Sequence, residues 1–97
     1  MTKDELIDLF EKHDAEFLKF DRIEKPLHPR PDLCAFLRLH ELVPGHSDMV
    51  SGAEHREIFL DCDLEELAAV ASEDDVILLH RCGVRIDEWE NGLAMLA

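Results

Sequence analysis

The sequence is short of positive charge. Ten Lys and Arg face 23 Asp and Glu in 97 residues, a formal net charge of -13. Nucleic-acid affinity rests on Lys and Arg neutralising phosphates, so this shortage argues against direct DNA or RNA binding. The same sign argues against adhesion to anionic lipid. The chain also lacks a CxxC pair. Cys34, Cys62 and Cys82 are odd in number and widely spaced, which removes the usual zinc and redox patterns and marks them as reduced core residues of an intracellular protein. No run of about 18 apolar residues occurs, and Met1-Thr2-Lys3-Asp4-Glu5 is not a basic region leading into an apolar one. We therefore expect no export signal, no membrane partner and a cytoplasmic location. There is no internal repeat and no low-complexity segment.

What the chain does contain is enough apolar material for a core. Its hydrophobic content is 46%, with five Phe and one Trp, unlike a disordered acidic tail. We expect one domain over residues 1–97. A chain this short buries a smaller fraction of its surface than a long one, so a homodimer contact is expected as an added source of stability.

Periodicity divides the chain into a helical half over 2–43, a loop over 44–55 and a βααββ half over 56–97. Leu6, Phe10, Phe17 and Phe20 recur at helical intervals from Thr2 to about Ile23, and Thr2 with Glu5 forms a capping-box signature. His13 lies within that stripe and reads as a core-edge residue whose nitrogen meets a backbone carbonyl. Pro26, Pro29 and Pro31 interrupt the helix. A second helix follows from Pro31 or Asp32 to Val43, and its wide stripe of Leu33, Phe36, Leu37, Leu39 and Leu42 predicts the deepest burial of any helix. Pro44-Gly45 ends it.

Gly45 to His55 has no sustained period, so a loop is predicted, long enough to be functional. Ile58, Leu60 and Cys62 alternate with Glu57, Phe59 and Asp61, the period of a strand. Asp63 with Glu66, and Ser72 followed by Glu73-Asp74-Asp75, mark two helix starts, and Gly83 marks a stop. Val84 to Trp89 and Leu93 to Leu96 read as a hairpin about Glu90-Asn91-Gly92, in preference to a terminal helix. The expected class is α+β, with four helices packed on a small, about three-stranded antiparallel sheet in the order ααβααββ.

Three groupings hold chemistry-bearing residues. Ile58-Phe59-Leu60-Asp61-Cys62-Asp63 superficially resembles the strand and DxD opening of haloacid-dehalogenase-type phosphatases, where one aspartate is a nucleophile and the next a general acid. Glu65 stands where that pattern has threonine, and too little chain follows for that fold's remaining strands, so the family is set aside. Asp61 then reads as a solvated strand-end residue and Asp63 as a helix cap.

The second grouping is His28, His40, His46, His55 and His80 with Asp48, Glu54 and Asp61. Imidazole and carboxylate together suit zinc, manganese or iron. The ligands expected for a divalent metal are His46, Asp48, His55 and Asp61, with the long loop folded back over the strand end, although no H-E-x-x-H frame is present. The third is the helix pair from Leu64 to Cys82, which has the outline of a helix-turn-helix. Its second helix opens on three acids where phosphates would have to approach, so a packed helical hairpin is the better reading.

Nucleophilic catalysis has little footing. Ser72 is a cap, Ser47 has no glycine elbow around it, and the cysteines fall on apolar faces where thiol reactivity falls. The residues favour a binding role over an enzymatic one. We expect a small acidic protein without a cofactor that acts by protein contact, through its acidic surface and the Gly45 to His55 loop, on a basic partner. Small accessory or regulatory proteins of bacteria and phages are similar in composition, and some imitate nucleic acid. The alternative expectation is a divalent-metal protein or small hydrolase built on His46, Asp48, His55 and Asp61. A third is a structural homodimer closed by the apolar surplus of the second helix and the hairpin.

Overall fold

Thr2 Oγ1 accepts the Glu5 amide at 3.2 Å while the Glu5 carboxylate accepts the Thr2 amide at 3.0 Å. This reciprocal cap starts the first helix at the position its two residues predict. The computed structural model describes residues 1–87, 89 and 92–96. The regular elements are α1 (Lys3–Lys12), α2 (Pro31–Leu42), β1 (Val50–Glu54), β2 (Glu57–Leu60), α3 (Leu64–Val70), α4 (Glu73–Arg81), β3 (Val84–Asp87) and β4 (Gly92–Leu96). The class is α+β, but the sheet has four antiparallel strands, not three, in the order β1-β2-β4-β3.

Helix α1 stops at Lys12, well short of the Ile23 that its apolar stripe suggests. The chain continues instead through two 3₁₀ turns, Asp14–Glu16 and Phe20–Arg22. The cause is His80, from the last turn of α4. Its Nε2 donates to the Phe10 carbonyl, the acceptor that a continuing helix would give to the amide four residues on. Its backbone carbonyl accepts the Leu18 amide at 3.0 Å. Phe10 and Phe17 pack on the imidazole with ring centroids 4.8 and 6.0 Å away. The phenylalanine spacing is thus satisfied by a wrap around α4 and not by one long helix.

Gly83 closes the same junction. It adopts φ +95°, and a Cβ there would lie 2.9 Å from Leu18 Cδ2. Glycine alone meets both conditions without strain.

Helix α2 begins with Pro31 at its first position, where the missing amide costs nothing. It is not the most deeply buried helix. Cys34, Ala35 and Leu39 are buried, but Leu37 is 46% exposed. That central place belongs to α4, which packs against α1, α2, both 3₁₀ turns and β3. The tie between α2 and α4 is polar: Arg38 Nη2 lies 2.7 Å from Asp75 Oδ1. Asp75 Oδ2 also accepts the amide and hydroxyl of Ser72, closing the capping box that starts α4.

The loop expected over 44–55 ends in strand β1. Ser51, Gly52, Ala53 and Glu54 are poor strand formers, and pairing with β2 overrides their propensity. The connecting turn is also disguised. His55 and Arg56 take φ 48° and 68°, positive dihedrals that sequence normally signals with Asn-Gly. At the other end of the chain β3 and β4 form the expected hairpin, but Gly92, expected in its turn, opens β4 opposite Asp87; Glu88 of the expected strand and Glu90-Asn91 of the expected turn lie outside the described residues.

Strand pairing sorts the sheet into two faces. Leu60, Leu93 and Ile86 align in one row and Ile58, Met95 and Val84 in the next, and these join Leu6, Leu64, Leu67 and Leu79 in the core. Each fully buried leucine contributes roughly 1.5–3 kcal/mol. The opposite face carries Phe59, Ala94 and Leu96, with Arg85 reaching Glu57 across β4.

Burial alone would raise the Asp75 carboxyl, but the Ser72 amide and the Arg38 guanidinium outweigh it and hold the group below the usual aspartate range. A depressed carboxyl stabilises the fold above its unfolded value, about 3.9, and that contribution is lost as pH falls through the folded value. Asp75→Asn therefore costs about 2 kcal/mol near neutral pH, between the values for exposed and buried pairs. The deficit shrinks below about pH 4. Urea denaturation of both proteins across pH checks this, and equal stability at pH 7 would contradict it. In the turn, the double substitution His55→Asn with Arg56→Gly relieves two left-handed residues and raises stability by about 1 kcal/mol. A lowered urea midpoint would show that these residues are not held in the left-handed region.

Candidate interaction surface

The four residues expected to meet around a metal are placed by the β1–β2 hairpin. Its register pairs Glu54 with Glu57 at the turn and Val50 with Leu60 at the far end. His55 sits at the turn and pairs with Glu54 at 3.3 Å. Asp61 follows the opposite end of β2, which spans about 10 Å at the rise of an extended strand. The Asp61 amide donates to the Met49 carbonyl at 2.6 Å, so the loop does fold back over the strand end and brings Asp48, the neighbour of Met49, to the Asp61 side. His46 is exposed in the same loop. The structure thus gathers Asp48 and Asp61 and separates them from His55. Among the described residues no group of three or more His, Cys, Asp or Glu is placed to hold a metal ion.

Of the other histidines, His40 is exposed near the end of α2, and three have partners of their own. His28 Nδ1 accepts the Arg30 amide at 3.1 Å. His13 Nε2 lies 2.7 Å from the Glu73 carboxylate, not a backbone carbonyl. The carbonyl-bonded role expected of His13 is filled by His80, which is only 3% exposed.

Beyond β2 the chain turns into α3 through Asp61-Cys62-Asp63. Asp63 Oδ1 accepts the Glu65 and Glu66 amides at 2.8 and 3.2 Å, so its carboxylate caps α3 and adds charge where the helix dipole favours it. This corner forms one wall of a cleft of about 240 Å³, lined by Ser51, Phe59, Leu60, Asp61, Cys62, Asp63, Gly92 and Leu93. Burial, then the charges of Asp63, Glu66 and Asp61, push the Cys62 thiol up to about 11.

No cation lies within 4.0 Å of Asp61, Asp63, Glu65 or Glu66 among the described residues, because most cations are used elsewhere. Lys12, Arg22, Arg30, Arg38, Arg81 and Arg85 are all in ion pairs within the chain. The acid surplus therefore stays bare at the β2–α3 corner.

One residue at this end escaped sequence reasoning. Trp89, assigned to a strand by its alternation, lies in the turn between β3 and β4 and is 97% exposed. Its amide donates to Asp87 Oδ1 at 3.2 Å. The available signal was Asp87 itself, since an aspartate two residues ahead of an amide commonly opens such a turn.

The thiols offer no nucleophile. Cys34, Cys62 and Cys82 are free and buried. Burial, then the neighbouring Cys34 thiol, raises Cys82 further than Cys62. At pH 8 about one Cys62 in a thousand is thiolate, the reactive form. We predict that a disulfide reagent modifies none of the three in the native protein and all three in denaturant; rapid native labelling of Cys62 would contradict this placement.

Comparisons with protein-family models, with curated proteins and with solved structures return no match to the chain.

Proposed function

We propose that this protein acts by protein contact, presenting the acidic β2–α3 corner to a basic partner protein. The observation that supports the reading is the distribution of charge: six of the ten Lys and Arg are held in internal ion pairs, and among the described residues Asp61, Asp63, Glu65 and Glu66 are in none, the first two lining an open cleft. Such a surface steers a positively charged partner and offers carboxylates in place of the phosphates that a basic protein binds. The setting we propose is the cytoplasm, in the manner of an accessory or regulatory protein of a bacterium or phage. A second copy fits this corner less well, because each chain carries a net charge of -13. No helix among the described residues is long and apolar enough to cross a membrane.

Immobilised protein exposed to an extract of its natural host should retain basic proteins at low salt and release them as salt rises towards 1 M, where the screening length falls to about 3 Å. A variant carrying D61N, D63N, E65Q and E66Q keeps a good cap at residue 63, because asparagine caps as well as aspartate. It should retain the same proteins at least about tenfold less. Retention that ignores both salt and these four charges would sink the reading.

A further inference from the structure

Resting on that protein-contact reading, we propose that Trp89 is the apolar anchor of the contact. It inserts into a pocket of the partner that is apolar inside and rimmed by Lys or Arg. Trp89 contributes no burial to this fold: at 97% it is by far the most exposed large apolar residue, the next being Leu18 at 54%. A tryptophan can bury roughly 150–250 Å² on docking, and residues of this type dominate interface energetics when they enter a desolvated pocket.

The backbone that carries the indole is tied to the end of β3. The Trp89 amide is bonded to Asp87, whose side chain is buried at the end of β3. Asp87 pairs with Gly92 across the hairpin, and Gly92 lines the cleft together with Asp61 and Asp63. The turn therefore sets an apolar knob at the same end of the sheet as the bare carboxylates. A pocket that accepts the knob must bring its rim against negative charge, so cations suit that rim and acids are rejected. A second copy of this chain would bring the same acids against themselves. The partner is a basic protein with an apolar pocket.

The test uses the host protein most strongly retained in the salt-sensitive fraction, identified by mass spectrometry and purified. It is titrated against the unmodified chain, Trp89→Ala and the four-charge variant. The chain's single tryptophan is replaced by 5-fluorotryptophan to give one fluorine signal. The expected result is a loss of affinity of at least about tenfold in Trp89→Ala, with unchanged thermal unfolding and a fluorine resonance that moves on binding. Affinity within twofold of the unmodified chain together with an unmoved resonance overturns the anchor. If the four-charge variant still loses binding in that case, the contact reading survives without it. If no protein is retained in a salt-sensitive way, the contact reading fails and the anchor fails with it.

Discussion

The scarcity of cations organises this molecule. With 23 acids and ten Lys and Arg, the chain cannot neutralise itself, and the positions of its few cations decide which surface stays bare. Four of them join segments distant in sequence. Lys12 ties the end of α1 to the start of α4 through Glu73, Arg81 ties α4 to the first 3₁₀ turn through Glu16, and Arg38 ties α2 to α4 through Asp75. Arg85 reaches Glu57 over the middle of the sheet. Exposed pairs of this kind contribute little each. Their consequence for function is that, among the described residues, no Lys or Arg forms an ion pair with Asp61, Asp63, Glu65 or Glu66.

Three of these ties meet on α4, and His80 stands at its junction with α1, the wrap and β3. The ring ends α1 by donating to the Phe10 carbonyl, its backbone carbonyl fixes Leu18, and the same carbonyl accepts the Gly83 amide at 2.9 Å. One residue thereby sets the end of α1, the path of the wrap and the entry into β3. The hairpin that carries Trp89 starts directly from this junction, so the geometry of the acidic end depends on packing at the opposite side of the sheet.

What could be read from sequence was local. The caps at Thr2, Asp63 and Ser72 are side chains bonding amides two or three residues away, and each is found in place. The terminal hairpin was legible because alternation and a glycine-containing turn agree. The strand β1 was not, because its residues favour a loop and only β2 makes them a strand. The early end of α1 was hidden for the same reason, since its cause lies 70 residues away in the chain. Among the candidate ligands, the return of the loop to Asp61 was anticipated, but the placement of His55 at the opposite end of the hairpin depended on a turn with no sequence signature. Alternation past Asp87 predicts a strand at Trp89, which the structure places in a turn.

A solvated indole at the same end of the sheet as unpaired carboxylates carries the proposed contact. Quenching of the single tryptophan by caesium and by iodide tests it directly, since the two ions differ in sign and both need contact with the ring. Emission should lie at the red edge, and each quenching constant, divided by that of free N-acetyltryptophanamide, should be higher for caesium than for iodide at low salt, the two ratios converging as added salt screens the acids. Blue-shifted emission, or a normalised ratio for iodide equal to that for caesium at low salt, would contradict it.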